Sequence, residues 1–385
     1  MSALATQSLK VSRQMEVEVD DLGWFTPVIK LAKEMKATDI YAVEGKASRI
    51  GILKNYTIVK EDGEATLFKP SRSHIEALME KTMSADMIDM SFLLSESPSG
   101  NGSSHNYHEY GFSVKNYGRY RVSCTTSEEG MGLSLRKLPY TIPSLDELDR
   151  YEFLKGVKDM LNFKIAPPNG LILHTGITGS GKSTTIASEL DHIASKISGN
   201  ILIFENPIEY QITMRPANVR HYEVNRHISS FVEGMKLALR NDPSVIMIGE
   251  VRTRDEIQAL FEVASKGHLV FSTLHTSNVM NTMRFLDEVG DNKGSWRQLV
   301  ASSLRAIVSQ KLVYRNGEYT LIAEVFIPNT SARSLVAEGK YTELENMITG
   351  NQLKDNGTIT FKTALDKLVE KNVFAERERK EFLNE

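Results

Sequence analysis

One nine-residue segment restricts this chain to a small set of folds. Residues 176–184 read Gly-Ile-Thr-Gly-Ser-Gly-Lys-Ser-Thr and match the pattern G-x-x-x-x-G-K-[ST] at every fixed position. An apolar run at 171–173 precedes the segment, and a helix-forming run at 184–197 follows it. A glycine-rich turn with this spacing between a strand and a helix is the phosphate-binding loop, or P-loop. The segment therefore predicts a nucleotide site.

The residue types of the loop suit phosphate chemistry. The glycines let successive backbone N–H groups converge on phosphate oxygens, and the start of the following helix adds partial positive charge. The Lys182 ammonium is expected to contact the β- and γ-phosphates, and the Ser183 hydroxyl to ligate Mg²⁺. The predicted nucleotide-binding residues are Gly176, Thr178, Gly179, Ser180, Gly181, Lys182, Ser183 and Thr184.

Four short apolar runs alternate with helical stretches in the second part of the chain. They cover residues 171–173, 201–204, 245–248 and 269–271. This pattern predicts an α/β fold whose buried, mostly parallel sheet has helices on both faces and binds ligands at the carboxyl ends of its strands. Glu250 follows the third run closely, where an acid can bind Mg²⁺ or polarise water.

The first 140 or so residues have a different pattern. Helices are expected at 27–36 and 72–83, with short strands around them, which indicates a small α+β domain. A mobile surface loop is expected at 95–106, and the segment 141–149 is the best candidate for a linker. We place the domains at 1–142 and 143–385.

Composition excludes several classes of protein. The chain has 41% hydrophobic residues, 25% charged residues and a net charge of −3, which is typical of a globular protein. This charge gives no reason to expect a nucleic-acid-binding surface over the whole molecule, but a local basic lining that binds single-stranded nucleic acid in a central pore stays open. The single cysteine, Cys124, rules out a disulfide framework within one chain and is expected to be a buried structural thiol. Residues 1–14 lack a secretory signal pattern, and no apolar run is long enough to cross a bilayer. We expect a cytoplasmic protein that reaches the inner membrane only through partners.

Four segments together resemble the PilT/GspE superfamily of secretion and pilus ATPases, from about residue 37 to the C-terminus. They are the P-loop region 168–185, the segment 203–210 (similar to the acidic E-D-P-I-E box), the Walker B region 239–252 and the histidine box 267–276. The resemblance implies a homohexameric ring, a RecA-like P-loop ATPase core with a smaller PAS-like α+β N-terminal domain, and hydrolysis of ATP with Mg²⁺.

The resemblance also implies roles for residues outside the loop. Glu205 is a candidate for activating water and Glu250 for organising Mg²⁺, although the reverse division stays open. Asn206 replaces the usual Asp, which removes one negative charge. The resemblance implies that arginines from the N-terminal domain neutralise charge at the γ-phosphate; the alternative is that they belong to an exposed surface. It implies that two histidines sense the γ-phosphate; the alternative is that they are structural. These residues are Arg119, Arg136, His268 and His275, with Glu209, Arg240 and Arg252 as further candidates.

Two differences between this sequence and the usual family sequences indicate the branch of the superfamily. The chain lacks the four-cysteine cluster usual in assembly ATPases, and residues 331–335 read Ser-Ala-Arg-Ser-Leu where retraction motors usually have A-I-R-N-L. Together with Asn206 this favours the DotB/TraJ-type ATPases of type IVB secretion and conjugation, which would dock on an inner-membrane complex. The alternatives are a pilus retraction motor, a DNA-stimulated translocase, and a nucleotide-binding regulator without turnover.

Overall fold

A computed structural model describes residues 17–46, 48–52, 55–58, 70–85, 107–138, 141–163, 167–213, 216–315 and 318–383. The chain divides into two compact units, Met1–Tyr140 and Thr141–Glu385. The surface loop expected at 95–106 lies outside the described residues. The domain limits at 142 and 143 stay a prediction.

The first unit is built on a six-stranded antiparallel sheet in the order β3-β2-β1-β6-β5-β4. Its strands are β1 (Asp39–Val43), β2 (Arg49–Ile52), β3 (Asn55–Ile58), β4 (Tyr107–Val114), β5 (Gly118–Ser127) and β6 (Gly130–Lys137). Its helices are a 3₁₀ segment (Val19–Phe25), α1 (Thr26–Glu34) and α2 (Arg72–Ala85). The two predicted helices are thus confirmed. Cys124 lies in the core with 2% of its surface exposed, as expected of a structural thiol.

The second unit contains a seven-stranded sheet in the order β13-β12-β7-β11-β10-β8-β9. Every neighbouring pair is parallel except β12 and β13, which form an antiparallel hairpin at one edge. The strands are β7 (Gly170–Thr175), β8 (Asn200–Glu205), β9 (Asn218–Glu223), β10 (Pro243–Ile248), β11 (Leu269–Leu274), β12 (Leu304–Arg315) and β13 (Glu318–Phe326). The predicted α/β class with a mostly parallel sheet is confirmed.

Helices connect these strands and continue beyond the last one. They are α3 (Leu145–Leu148), α4 (Lys155–Leu161), α5 (Lys182–Ala194), α6 (Phe231–Ala238), α7 (Arg254–Ala264), α8 (Val279–Val289), α9 (Lys293–Ser303), α10 (Thr330–Glu338), α11 (Tyr341–Thr349), α12 (Phe361–Glu370) and α13 (Glu376–Leu383). The segment expected to be a linker contains α3, whose first turn is closed by a capping box between Ser144 and Glu147. None of the described helices is long and apolar enough to cross a bilayer.

Core residues cover both faces of the second sheet. Along β7, Leu171 and Leu173 belong to one apolar cluster, whereas Ile172 between them belongs to the other. The second cluster includes Ile186 and Leu190 from α5, so the P-loop helix packs on this face. Because both faces are buried, the middle residues of β7, β8, β10 and β11 are mostly apolar, and the carboxyl ends of these strands meet along one edge of the sheet.

Candidate functional site

The P-loop follows β7 and turns directly into α5. Gly176, Gly179 and Gly181 have φ values of 142°, 81° and 89°, which side-chain-bearing residues rarely adopt. Gly176 also packs closely, since a Cβ there would lie 2.5 Å from the backbone oxygen of Gln310. All three glycines are therefore favoured by their backbone conformation, and Gly176 is required by close packing as well. Helix α5 begins at Lys182, so its N-terminus points into the loop.

Lys182 is held by the loop itself. Its ammonium Nζ donates to the carbonyl oxygens of Gly176 at 2.6 Å and Ile177 at 3.1 Å. Burial lowers the pKa of Lys182, and the negative charges of Glu250 and Glu209 partly oppose that shift. The two glutamates therefore lie close enough to influence the P-loop charge. The Lys182 ammonium is thus a cation held within the loop that is predicted to bind phosphate.

The ends of β8 and β10 bring two acidic residues together. Gly249 N donates to the Phe204 carbonyl at 2.7 Å, and a Cβ at Gly249 would lie 3.6 Å from Cγ of Glu205. The segment that carries Glu250 therefore runs directly against the end of β8, where Glu205 lies. Only 7% of the Glu205 surface is exposed. Carboxylates are rarely buried to this degree, and those that are often belong to functional sites.

Glu250 lies beside an arginine and a histidine. Its Oε1 lies 2.6 Å from the Arg252 guanidinium, and its Oε2 lies 3.4 Å from Nε2 of His275. His275 follows β11, the strand next to β10, and the Thr273 hydroxyl donates to the Gly249 carbonyl at 2.8 Å. The ends of the two central strands are therefore tied together where Glu250 lies.

The donor set fits a magnesium ion bound together with a nucleotide. Ser183 and Glu205 both line one small cavity, whose other walls are mostly apolar and include Ile186, Ile203 and Met247. Hydroxyl and carboxylate oxygens are ligands that Mg²⁺ accepts, and this ion usually retains water and phosphate ligands as well. No group of three His, Cys, Asp or Glu side chains among the described residues is arranged to hold a metal. Phosphate oxygens would complete the coordination at Ser183.

A cavity of about 730 Å³ opens beside the P-loop within the second unit. Its volume is in the range of small-molecule sites, and its walls combine apolar side chains with a few hydroxyl groups. Gly181, Thr184 and Thr185 form the side nearest the phosphates. The other walls include Ile142, Leu148, Tyr151, Leu312, Tyr319 and Leu321. The cavity can hold the base and sugar of a nucleotide whose phosphates lie in the loop.

Two predicted residues lie at the opposite edge of the sheet. His268 precedes β11, seven residues before His275, and its Nδ1 lies 2.8 Å from the Pro243 carbonyl oxygen. Arg240 is exposed in the turn before β10. Both are thus at the amino ends of their strands, whereas the P-loop lies at the carboxyl ends. The structure does not bring His268 or Arg240 to the P-loop of their own chain.

The predicted arginines belong to the first unit. Arg119 on β5 is 5% exposed, and its guanidinium packs over Gly111 on β4, where a Cβ would lie 2.5 Å from one terminal nitrogen. Arg136 on β6 is mostly exposed, and its Nε donates to Asp39 at 2.8 Å. Of the two, Arg136 has the accessible guanidinium. Their roles at a nucleotide stay predictions.

Several supporting residues were not predicted. The Tyr210 hydroxyl lies 2.7 Å from Oγ1 of Thr184, and Glu223 accepts from Ile208 N at 3.1 Å, which holds the segment after β8. Gln310 on β12 donates to Thr185 at 2.7 Å. Tyr210 ends the 203–210 segment and could have been proposed from it. Glu223 and Gln310 reach the site only through strand order, which the sequence does not display.

Comparison with known proteins agrees with this geometry. The family model described as "Type II/IV secretion system protein" matches residues 112–358. The type IV pilus retraction ATPase PilT of Pseudomonas aeruginosa is 33% identical over 277 residues, which are 71% of this chain and 78% of that protein.

Two solved structures are also similar. The pilus retraction motor PilT with bound ADP has a TM-score of 0.75 at 28% identity, over 92% of this chain and 95% of that one. The ATPase DotB of Legionella pneumophila has a TM-score of 0.74 at 25% identity, over 96% and 99%. The chain therefore belongs to the type II/IV secretion system protein family, within the PilT/GspE superfamily of ATPases.

Proposed function

We propose that this chain binds ATP with Mg²⁺ and hydrolyses it as a homohexamer, to power a type IV secretion or conjugation apparatus of the IVB kind. The observation that carries the enzymatic part is the convergence on one sheet edge of Lys182, Ser183, Glu205 and Glu250. The side chains at this edge are suited to bind phosphate, to bind a metal ion and to activate a water molecule.

Each residue has a distinct task in the proposed reaction. Backbone N–H groups of the P-loop and Lys182 bind and orient the phosphates, so that the γ-phosphoryl group faces the carboxylates. Ser183 and Glu250 would hold Mg²⁺, which neutralises phosphate charge. Glu205 accepts a proton from the attacking water, and the buried surroundings of its carboxylate exclude competing bulk water. The exchange of roles between Glu205 and Glu250 is the alternative.

The hexamer supplies what a single chain lacks. By analogy with the superfamily, Arg136 and His275 act at the γ-phosphate or at the boundary with a neighbouring subunit, with Arg119 and Arg252 as further candidates. A guanidinium added from a neighbour neutralises charge in the transition state and couples hydrolysis to movement. This coupling is the proposed route from ATP to mechanical work at the cytoplasmic face of an inner-membrane complex.

The biological role has two candidates, a secretion or conjugation apparatus and a pilus retraction motor. The similarity to DotB covers 99% of that structure, and the departure at 331–335 from the retraction sequence favours secretion or conjugation. A pilus retraction motor is the second candidate, supported by 33% identity to a PilT. In α10, Arg333 donates to the Ala301 carbonyl at the end of α9, so the kept arginine of this segment has a local packing contact.

Phosphate release by the purified full chain tests the enzymatic proposal. We expect MgATP-dependent release, hexamers by mass photometry, and loss of release in Lys182→Ala with retained folding by circular dichroism. Nucleotide binding without release from the wild-type hexamer would support a regulator instead. Strong stimulation by single-stranded DNA at low salt, lost at high salt, would favour the translocase.

Affinity capture from detergent-solubilised envelopes of the source cell tests the biological role. The bait is the full chain, with Lys182→Ala as a bait that is expected to retain the docking surface. Recovery of secretion or conjugation channel proteins supports the proposal. Recovery of a pilus platform would replace it with the retraction motor.

A further inference from the structure

A buried ionisable pair lies behind the P-loop. His174, at the end of β7, is fully buried, and Glu189, two turns into α5, is 1% exposed. The imidazole Nε2 lies 2.9 Å from Oε2 of the carboxylate. The proposed hydrolysis uses neither group. Burying two ionisable groups in an apolar core is costly unless they compensate each other, so the pair calls for an explanation.

The polar contacts continue from His174 to the start of the P-loop helix. Nδ1 of His174 lies 2.9 Å from Oε1 of Gln310, and Nε2 of Gln310 donates to the Thr185 hydroxyl at 2.7 Å. Thr185 in turn donates to the Gly181 carbonyl at 3.2 Å. The chain of contacts therefore runs from Glu189 through three side chains to Gly181, where the loop becomes a helix.

The direction of these hydrogen bonds determines where the protons are. Because the Gln310 amide nitrogen donates to Thr185, its oxygen faces the imidazole, and Nδ1 of His174 must carry a hydrogen. Nε2 and Oε2 of Glu189 lie 2.9 Å apart, but neither atom has a hydrogen-bond partner among the described residues, so this contact is a close approach and not an aligned hydrogen bond.

Gln310 supports the P-loop at two points. Its backbone oxygen packs against Gly176 at the start of the loop, and its side chain holds Thr185 three residues after Lys182. Rotation of the Gln310 amide would remove the donor from Thr185 and turn an oxygen lone pair toward the hydroxyl. The Nδ1–H group of His174 prevents that rotation, because only the amide oxygen can accept from it.

We propose that His174 is a positioning residue for nucleotide binding: its Nδ1–H orients Gln310, the Glu189 carboxylate lies beside the other ring nitrogen, and Gln310 then holds the first turn of α5 beneath the phosphates. The inference rests on the proposed function only in that nucleotide is the ligand. It assigns to the buried pair a role in affinity that is separable from its contribution to stability.

Two double variants isolate the donor. His174→Leu with Glu189→Leu removes both ionisable groups, whereas His174→Asn with Glu189→Leu also removes them but restores an N–H near the position of Nδ1. Leu and Asn are similar in size, so the variants differ mainly in the donor to Gln310. Removing the buried pair as a unit is expected to leave folding intact.

The readout is the Kd of a fluorescent ATP analogue with Mg²⁺, measured on the full chain beside the melting temperature. We expect the Leu/Leu variant to bind about tenfold more weakly than wild type, because Gln310 no longer holds the first turn of α5 in place. The Asn/Leu variant should recover most of that loss. Ser309→Ala is the control, since it removes a hydroxyl contact between the same two strands, Ser309 to Thr175 at 2.7 Å, without reaching α5. Its affinity should equal that of wild type.

Two results would overturn the inference. Equal Kd values for the Leu/Leu and Asn/Leu variants would show that the donor has no role, and Kd values that simply follow the melting temperatures across all variants would show a structural role alone. A wild-type chain that bound no nucleotide would instead contradict the proposed function, and the positioning role with it.

The proton position has its own test, which needs no nucleotide. In protein labelled with nitrogen-15 in histidine, the His174 signal is identified by its absence from the Asn/Leu variant. We expect Nδ1 to be protonated at about pH 7, whereas an unperturbed histidine is mostly neutral there and commonly carries its hydrogen on the other nitrogen. An unprotonated Nδ1 would contradict the inferred direction of the hydrogen bonds.

Discussion

Oε2 of Glu250 lies 3.4 Å from Nε2 of His275, across the carboxyl ends of two neighbouring parallel strands. The other carboxylate oxygen lies 2.6 Å from Arg252. The contact with His275 is long and half-exposed, which leaves Glu250 free to exchange it for a metal or a water molecule. A carboxylate with an adaptable partner is suited to a site that changes its ligands during a reaction.

Substitution of the two acids separates their tasks. If Glu250 organises Mg²⁺, Glu250→Gln should raise the Mg²⁺ concentration needed for half-maximal phosphate release. Glu205→Gln, as the general base, should lower turnover by about 100-fold or more with an unchanged Mg²⁺ dependence. Arg254→Ala is the control, because its exposed ion pair with Asp291 lies outside the proposed site and contributes little. The opposite pattern would assign the base to Glu250.

Arg136→Ala should impair hydrolysis more than nucleotide binding. Its guanidinium is accessible, but its partner Asp39 is 8% exposed, so removal of the arginine leaves a mostly buried carboxylate and should lower the free energy of unfolding by about 1–3 kcal/mol. Turnover by the assembled hexamer should fall by about 10³-fold if the arginine acts on the transition state. Asp39→Ala removes the same ion pair and keeps the arginine, so it serves as the control. Equal losses of binding and turnover would indicate a folding role.

Asp149 should make stability depend on pH. It is buried, and burial raises its pKa to about 6 from 3.8, although hydrogen bonds from Phe153 N and Leu154 N oppose the shift. Since the folded pKa exceeds the unfolded one, the folded chain binds more protons between these values. The contribution to stability is therefore complete below about pH 4 and lost as the pH rises through 6.

Urea unfolding of wild type and Asp149→Asn measures this effect. The difference in the free energy of unfolding, wild type minus variant, should fall by on the order of 2–3 kcal/mol between about pH 4 and 7, from 1.36 kcal/mol per pKa unit. Asp146→Asn is the control, because Lys158 lowers the pKa of that exposed carboxyl and the slope should have the opposite sign. A flat difference for Asp149 would contradict the prediction.

Cys124 should resist thiol reagents in the folded chain. Its Sγ is buried 3.4 Å from Sδ of Met79, and burial raises the pKa of the thiol to about 11. Since the thiolate is the reactive form, only a fraction on the order of 10⁻³ is available at about pH 8. Labelling with a chromogenic disulfide should be slow in native buffer and complete in urea. The single cysteine makes the signal unambiguous, and rapid native labelling would refute the expected burial.

The central fold could be predicted because its signals are local. The apolar runs at 171–173 and 201–204 are strands whose two faces are both buried, and the glycines of the loop report backbone conformations that few other residues adopt. The helices at 26–34 and 72–85 show apolar residues at helical spacing. These features depend on neighbours in the sequence, and the structure agrees with them.

The rest depends on contacts between distant parts of the chain. The hairpin of β12 and β13 was not predicted, although β12 lies directly beside β7. Consequently the supporting role of Gln310 was not seen, and His174 looked like one more residue of a buried strand. The P-loop motif identifies the loop conformation, but it does not show which residues pack against the loop. His268 was grouped with His275 because both belong to the histidine box, yet they lie at opposite ends of β11 and only His275 is at the carboxyl edge of the sheet.

The packing of Gly176 on Gln310 has a consequence for how the protein is made. The residues joined behind the loop are far apart in the chain, with His174 and Gln310 separated by 136 positions. During translation the nine loop residues are complete long before β12 leaves the ribosome. Nucleotide binding should therefore begin late in synthesis, and a nascent chain that ends before residue 304 would contain the motif without a working site.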